Sequence, residues 1–438
     1  MISNFQTLMQ KGNYNQLLES LEKIHIQNEK DLECLFFLGR VHYQLNNPKE
    51  SLFFFKKYNK LRPNNILILF NIAMILQNLG KVKESEKIYG KIINQSPNEV
   101  RAYYGLFTLN EKNIDEELIK KLIDLNSKDE ISLSYKSLIN FILSKVQQKK
   151  GNIDEEIKFL KISHQQAYEG NLNYNKQSDF YYNEIIPKYF NKINFLEKNF
   201  QYEELNFTNM IFIIGLPRSG STFIESILSQ SSHEIKSFGE FHGINMSIFD
   251  QIAEKIYSSK FKLKEFNLEI DKNLFQKSLK NKFLFKNNQV IIDKSLENIF
   301  NIEIILQFFP NAKFIHTFRN YEDSVIAIYQ SMLSELSWAH DIISIKKYIN
   351  NYKKVIEFFK TRYPDKILDL DIEKLTNSKE SEAKKVFEFC NLVWDKKYLN
   401  YYDNNKLFNK TLSFRQIRSK IDKYDDNKYK KYYHLIYN

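Results

Sequence analysis

Apolar residues recur every three to four positions from Leu35 to Ile92, broken only by short polar joints. One stretch carries Leu35, Leu38, Val41 and Leu45, and the next carries Leu52, Phe55, Tyr58 and Leu61. A second copy reads Leu69, Ile72, Ile75 and Leu79, then Ser85, Ile88 and Ile92. This spacing predicts amphipathic helices in pairs. The pairs repeat: Gly12, Asn46 and Gly80 lie 34 residues apart, as do Pro63 and Pro97. Small residues also recur in register, Gly39 with Ala73 and Ser51 with Ser85. They suit positions where two helix backbones approach, and a proline suits the end of the second helix because it lacks the donor that would continue it. Asn113-Ile-Asp-Glu-Glu returns at Asn152, each time ahead of an apolar helical pattern. Helical hairpins are therefore expected to about residue 170. A polar, aromatic-rich connection follows over 171–205, with one more helix near Tyr182–Phe200.

The pattern changes at Asn209. Met210-Ile-Phe-Ile-Ile214 is continuous and rich in β-branched residues, as in a strand buried on both faces. Gly215-Leu-Pro-Arg-Ser-Gly-Ser-Thr222 follows, and then Phe223, Ile224, Ile227 and Leu228 mark a helical face. Strand, glycine loop and helix together can wrap backbone amides round a phosphate and aim a helix N-terminus at it. The glycines have Walker A spacing, but Ser221 stands where that motif has lysine, and the cation is Arg218 within the loop. Two more strand patterns follow, Val290-Ile-Ile-Asp293 and Ala312-Lys-Phe-Ile-His-Thr-Phe318. The half from 206 to 438 is expected to be an α/β domain round a parallel sheet, behind all-α repeats over 1–170.

Composition sharpens this picture in three places. The 438 residues include only 11 glycines, four of them between Gly215 and Gly243, so the loop region is marked out. The net charge of +11 suggests an anionic partner, though lysines and acids are mixed along most of the chain; no nucleic-acid partner is expected. Cys34 and Cys390 are far apart and form no metal or redox motif, and no His/Cys/Asp cluster with ligand spacing is visible, so no metal is expected. The apolar run Ile66–Leu76 is too short to cross a bilayer, and the first residues carry no signal-peptide core; a cytoplasmic location is expected.

The loop Leu216-Pro-Arg-Ser-Gly-Ser-Thr222 after an apolar strand resembles the 5′-phosphosulfate loop of sulfotransferases that use 3′-phosphoadenosine 5′-phosphosulfate (PAPS). The 34-residue hairpins resemble tetratricopeptide repeats. Together they resemble the bacterial tetratricopeptide-repeat sulfotransferases, whose catalytic half is similar to tyrosylprotein sulfotransferases. The resemblance implies roles residue by residue. Arg218, Ser219, Gly220, Ser221 and Thr222 would hold the 5′-phosphosulfate. Glu240, in Phe238-Gly-Glu-Phe-His242, would deprotonate the acceptor hydroxyl, with His242 as the alternative base. Lys294, after Asp293, would stabilise the transferring group. Arg319 would bind the 3′-phosphate. The serine expected eight residues on is Ala327, so Ser324 would take its place. Ser413 and Arg418 would close over the nucleotide. The expected acceptor is a hydroxyl, with a polypeptide tyrosine held by the repeats as the candidate, and the chain is expected to form a homodimer. Two other readings stay open: a P-loop NTPase or kinase without the usual lysine, and a repeat scaffold with a degenerate catalytic domain.

Overall fold

A computed structural model describes residues 2–196, 209–231, 235–258, 262, 267–282, 289–402, 408, 418–420, 423–425 and 427–437. The N-terminal half is helical. Hairpins form from α1 (Ile2–Gln10) and α2 (Tyr14–Gln27), α3 (Leu32–Gln44) and α4 (Pro48–Leu61), and α5 (Ile66–Asn78) and α6 (Val82–Gln95). The helices α7 (Val100–Leu109), α8 (Glu116–Ser127), α9 (Leu133–Lys150) and α10 (Ile153–Glu169) continue the array.

The small residues read from the sequence lie at the helix crossings. Ser51 Oγ donates to the Gly39 carbonyl at 2.6 Å, and Ser85 Oγ donates to that of Ala73 at 2.7 Å. The same hydrogen bond thus fixes the second helix onto the first in consecutive repeats. Helix starts repeat as well: Asp31 accepts from the Cys34 amide at 2.7 Å and Asn65 from that of Ile68 at 3.2 Å, each covering a donor that a first helical turn leaves unpaired.

The connection differs from the expectation. The helix expected near Tyr182–Phe200 starts earlier and stops sooner. It runs as α11 (Leu172–Phe180), a π-helical turn at Tyr181–Ile185 and α12 (Ile186–Tyr189). The Ile186 amide reaches back five residues to the Tyr181 carbonyl, which widens the turn just before Pro187. The chain then enters β1 (Ile193–Leu196), which pairs in parallel with β4 (Leu268–Asp271).

The main sheet has five parallel strands in the order β3 (Ile235–Ser237), β5 (Val290–Asp293), β2 (Asn209–Gly215), β6 (Lys313–Phe318) and β7 (Ile367–Asp371). The apolar run at 209–215 is the central strand, with Ile211 opposite Ile292 on one side and Lys313 on the other. Chain order moves to opposite sides of β2, and the crevice at the carboxyl ends of such strands is where open α/β sheets take ligands. The helix after the loop is α13 (Ser221–Leu228); α14 (Gly243–Ile256), α15 (Lys272–Lys282), α16 (Ile302–Phe308), α17 (Tyr321–Tyr329) and α18 (Ile342–Arg362) complete what the site needs. One buried apolar cluster runs through both halves, from Leu17, Tyr103 and Ile142 to Phe212, Ile244 and Ile349.

Candidate active site

The loop after β2 bends sharply. Arg218 has φ 67° and Gly220, which caps α13, has φ 88°. Only glycine takes the second conformation without strain, and a Cβ there would also collide with Ile372. Gly220, Ser221, Thr222 and Arg218 all line a cavity of about 1390 Å³. The first amides of α13 have no acceptor within the helix, so this end presents donors and a positive dipole to the cavity. Burial, with Arg319 nearby, lowers the Arg218 guanidinium from its usual value, opposed by Tyr429.

Ser219 does not join them. Its hydroxyl donates to the Leu216 carbonyl at 2.6 Å, lies 2.7 Å from Thr317 Oγ1, and is buried beneath the loop. Its role is to hold the loop on β6.

Glu240 lies on the loop after β3 and lines the cavity. Lys294, just past β5, is buried behind it, with Nζ 2.6 Å from Glu240 Oε1 and 3.9 Å from Glu225 Oε2. Burial acts to lower the Lys294 pKa, but the two carboxylates outweigh it and hold the ammonium above its usual value. Glu225, on α13, is itself raised by burial; its Oε1 accepts from Ser237 Oγ at 2.5 Å. The Glu240 loop is tied to the sheet as well: the Phe238 amide donates to the Ile292 carbonyl and the Lys294 amide to that of Gly239, both at 2.9 Å.

His242, two residues on, has φ 58° and donates its backbone N–H to Ser295 Oγ at 2.8 Å. Its Nδ1 pairs with Glu297. Burial acts to lower the imidazole pKa, but Glu297 outweighs it and raises the value to about 9. His242 is therefore an imidazolium at neutral pH, a poor proton acceptor whose charge is balanced by Glu297 on the same cavity wall.

Arg319 follows β6 and lines the cavity. Its Nη1 donates to the Arg218 carbonyl at 3.1 Å, and its guanidinium lies 5.0 Å from the Tyr424 ring centre and 5.2 Å from that of Tyr429. Ser324, in α17, points elsewhere. Its hydroxyl donates to the Asn320 carbonyl four residues back, at 2.7 Å, and it is not among the lining residues. Arg418 is also away from the wall, donating to the Asn78 carbonyl at 2.5 Å in the repeats. Ser413 lies outside the described residues.

Several lining residues were not read from the sequence. Lys420, Lys423, Tyr424, Lys428 and Tyr429 also line the cavity. Asp323, buried at the start of α17, accepts from Tyr424 and, at 2.7 Å, from Tyr433. The Lys- and Tyr-rich composition of residues 420–433 was the available signal. The lining also includes the aromatic residues Tyr174, Tyr181, Tyr182, Phe249 and Trp338, the last stacked on Tyr348 at 3.6 Å. His316, by contrast, is a structural residue: Nδ1 lies 2.7 Å from Asp369 on β7 and Nε2 pairs with Tyr352.

Comparison with known proteins adds the following. The model of the sulfotransferase family matches residues 210–396, and that of the tetratricopeptide repeat matches 32–65 and 67–99. An uncharacterized protein of Aquifex aeolicus (strain VF5) is 23% identical over 427 residues, which is 94% of this chain and 55% of that protein. Human Superkiller complex protein 3 is 31% identical over 98 residues, 22% of this chain and 6% of its own length. The chain thus spans about half the first relative and much less of the second. Among solved structures, the sulfotransferase STF1 from Mycobacterium tuberculosis H37Rv aligns at TM-score 0.34 and 9% identity, covering 70% of this chain and 98% of that one. MamA aligns at TM-score 0.31 and 15% identity, covering 37% and 93%.

Proposed function

We propose that this chain, a member of the sulfotransferase family with tetratricopeptide repeats ahead of its catalytic domain, moves a sulfuryl group from PAPS to an acceptor hydroxyl on an aromatic ring, such as a protein tyrosine. One observation carries the reading. The arginine-bearing loop at the end of β2 and Glu240, backed by the buried Lys294, meet at one cavity whose lining carries both cations and aromatic rings.

The chemistry balances with these groups alone. Glu240 takes the acceptor proton as the acceptor oxygen bonds to sulfur. The bond from sulfur to the phosphate oxygen breaks, and the leaving nucleotide keeps its electron pair. Arg218 and the first amides of α13 stabilise the charge that grows there, which is where preorganised donors contribute most. Lys294, 2.6 Å from Glu240, keeps a positive charge beside the transferring group. Arg319 and the lysines of the last segment would hold the 3′-phosphate, a role Ser324 and Ala327 are not built for. The aromatic wall suits the flat face of a phenol.

Added 3′-phosphoadenosine 5′-phosphate is expected to raise the melting temperature of the chain without magnesium, and Arg218→Ala to abolish the shift. A shift that needs magnesium and favours ATP would assign the site to nucleotide hydrolysis or phosphorylation instead.

A further inference from the structure

The residues 34 apart that first marked the repeats have a second property in the fold. Gly12, Asn46 and Gly80 each close the turn between the two helices of a hairpin, with φ 66°, 62° and 76°. The same two backbone hydrogen bonds close each turn. Gly12 and Asn13 donate to Met9 and Leu8, Asn46 and Asn47 to Tyr43 and His42, and Gly80 and Lys81 to Gln77 and Leu76. Equivalent turns on successive hairpins form a row along one edge of the array.

Each turn in the row meets a different part of the catalytic domain. At the first, Lys11 accepts through its carbonyl from Lys282 Nζ at 3.0 Å, and a Cβ on Gly12 would lie 2.9 Å from Met246, a cavity-lining residue. At the second, Asn46 Nδ2 donates to the Ser237 carbonyl at 2.8 Å. At the third, Asn78 accepts from Arg418, and a Cβ on Gly80 would collide with the Arg418 side chain. Tyr14, which opens α2 beside the first turn, packs edge-on against Phe241 at 6.1 Å. The turn at Gly151, between α9 and α10, has the same shape, with φ 79° and donation from Gly151 and Asn152 to Gln148 and Gln147. A Cβ there would meet no atom within 4 Å. The turn shape is thus general, while the contacts belong to the regular row.

Two of these contacts, those of Asn46 and Tyr14, flank Glu240. Ser237 is three residues before it and Phe241 one after, so the repeats grip its loop on both sides while the sheet holds it from beneath. We infer that the turn row is a positioning element of the active site: Asn46 and Tyr14 set the Glu240 loop, and the Gly80 turn seats Arg418 next to the cavity-lining Ser419 and Lys420. The repeats then act as the back wall of the enzyme, beyond any part in holding an acceptor. The catalytic part of the inference rests on the sulfotransferase reading; the holding of the loop does not.

The test uses the full chain with Asn46→Gly and Asn46→Asp. Glycine keeps the left-handed turn and deletes the amide; aspartate keeps the shape and cannot donate from its carboxylate. Both variants are expected to lower kcat about tenfold with the KM for PAPS unchanged, since a loop carrying the base is loosened while the donor site is not. Amide exchange at Phe238, Gly239 and His242 is expected to speed up in both. Gly151→Ala serves as the control: it strains an equivalent turn and is expected to leave kcat and those amides as they are. Wild-type kcat in both Asn46 variants overturns the catalytic role, whatever the exchange shows. Wild-type exchange in both overturns the holding of the loop, even if the chain transfers no sulfuryl group. Faster exchange in a chain with no transfer by wild type would leave the holding intact and remove the proposed function.

Discussion

His242 shows how one residue can differ from its sequence reading. Its place two residues from Glu240 makes it a candidate base, but the sequence does not reveal that Glu297 comes to pair with it. The pairing raises its pKa from about 6.5 to about 9, so the charged pair contributes stability that is full below pH 6.5 and is lost as pH rises through about 9. The melting temperature of wild type is therefore expected to fall more steeply between pH 7 and 9.5 than that of His242→Gln; parallel curves would refute the assignment. Ser219 and Ser324 teach a related point. Residue type is legible in a motif, but the direction of a hydroxyl is not. The bend at Arg218 turns Ser219 under the loop, and Ser324 bonds back one helical turn, as serines within helices do. Ser219→Ala is expected to cost about 1–2 kcal/mol of stability by denaturant titration, through the hydrogen bonds it removes, and to leave nucleotide affinity nearly unchanged.

At the scale of elements, the periodic parts of the chain were the most legible. The repeat helices, the central strand and the loop–helix unit all follow from apolar spacing and glycine placement, because each is fixed by neighbours close in sequence. The connection was not legible. Its helix passes through a π-helical turn and stops at Tyr189, where the pattern carried it to Phe200, and β1 pairs with β4, more than seventy residues later. The twin pentapeptides differ in the same way: Asp115 caps α8 through the Leu118 amide at 2.9 Å, whereas in the second copy the helix has already begun at Ile153. The serine bonds between paired helices are testable here. Ser85→Ala is expected to destabilise the chain by about 1 kcal/mol in urea melts, as the Ala73 carbonyl loses a buried partner. An unchanged midpoint would show that this bond adds nothing to repeat packing.

For the whole molecule, the halves are joined by more than the turn row. Glu156 in α10 is buried and accepts from Tyr432, near the end of the chain, at 2.6 Å, and from Gln330, just past α17, at 3.2 Å. His164 Nε2 lies 2.7 Å from the Tyr329 carbonyl, and His164 Nδ1 lies 3.2 Å from His340 Nδ1. The +11 charge is uninformative as a total; of the 64 Lys and Arg residues, Arg218, Arg319, Lys420, Lys423 and Lys428 line the cavity, together with Glu240, Glu297, Glu335 and Asp425. Only the two arginines could be read from motifs, because the lysines reach the cavity by a return of the chain that the sequence does not encode locally. A ligand that binds only the folded chain, at a hundred times its dissociation constant, adds about 2.7 kcal/mol of stability. An anion that bridges these cations should give a shift of that order, weakened in Arg319→Ala. The most direct measurement of the central claim is the transfer of radiolabelled sulfate from PAPS to a tyrosine-containing peptide by purified protein. The account predicts label on the phenolic oxygen, lowered about 10²–10⁴-fold in Glu240→Gln while donor-nucleotide binding persists. Binding of the nucleotide with no transfer to any hydroxyl acceptor, or full activity in Glu240→Gln, would contradict it.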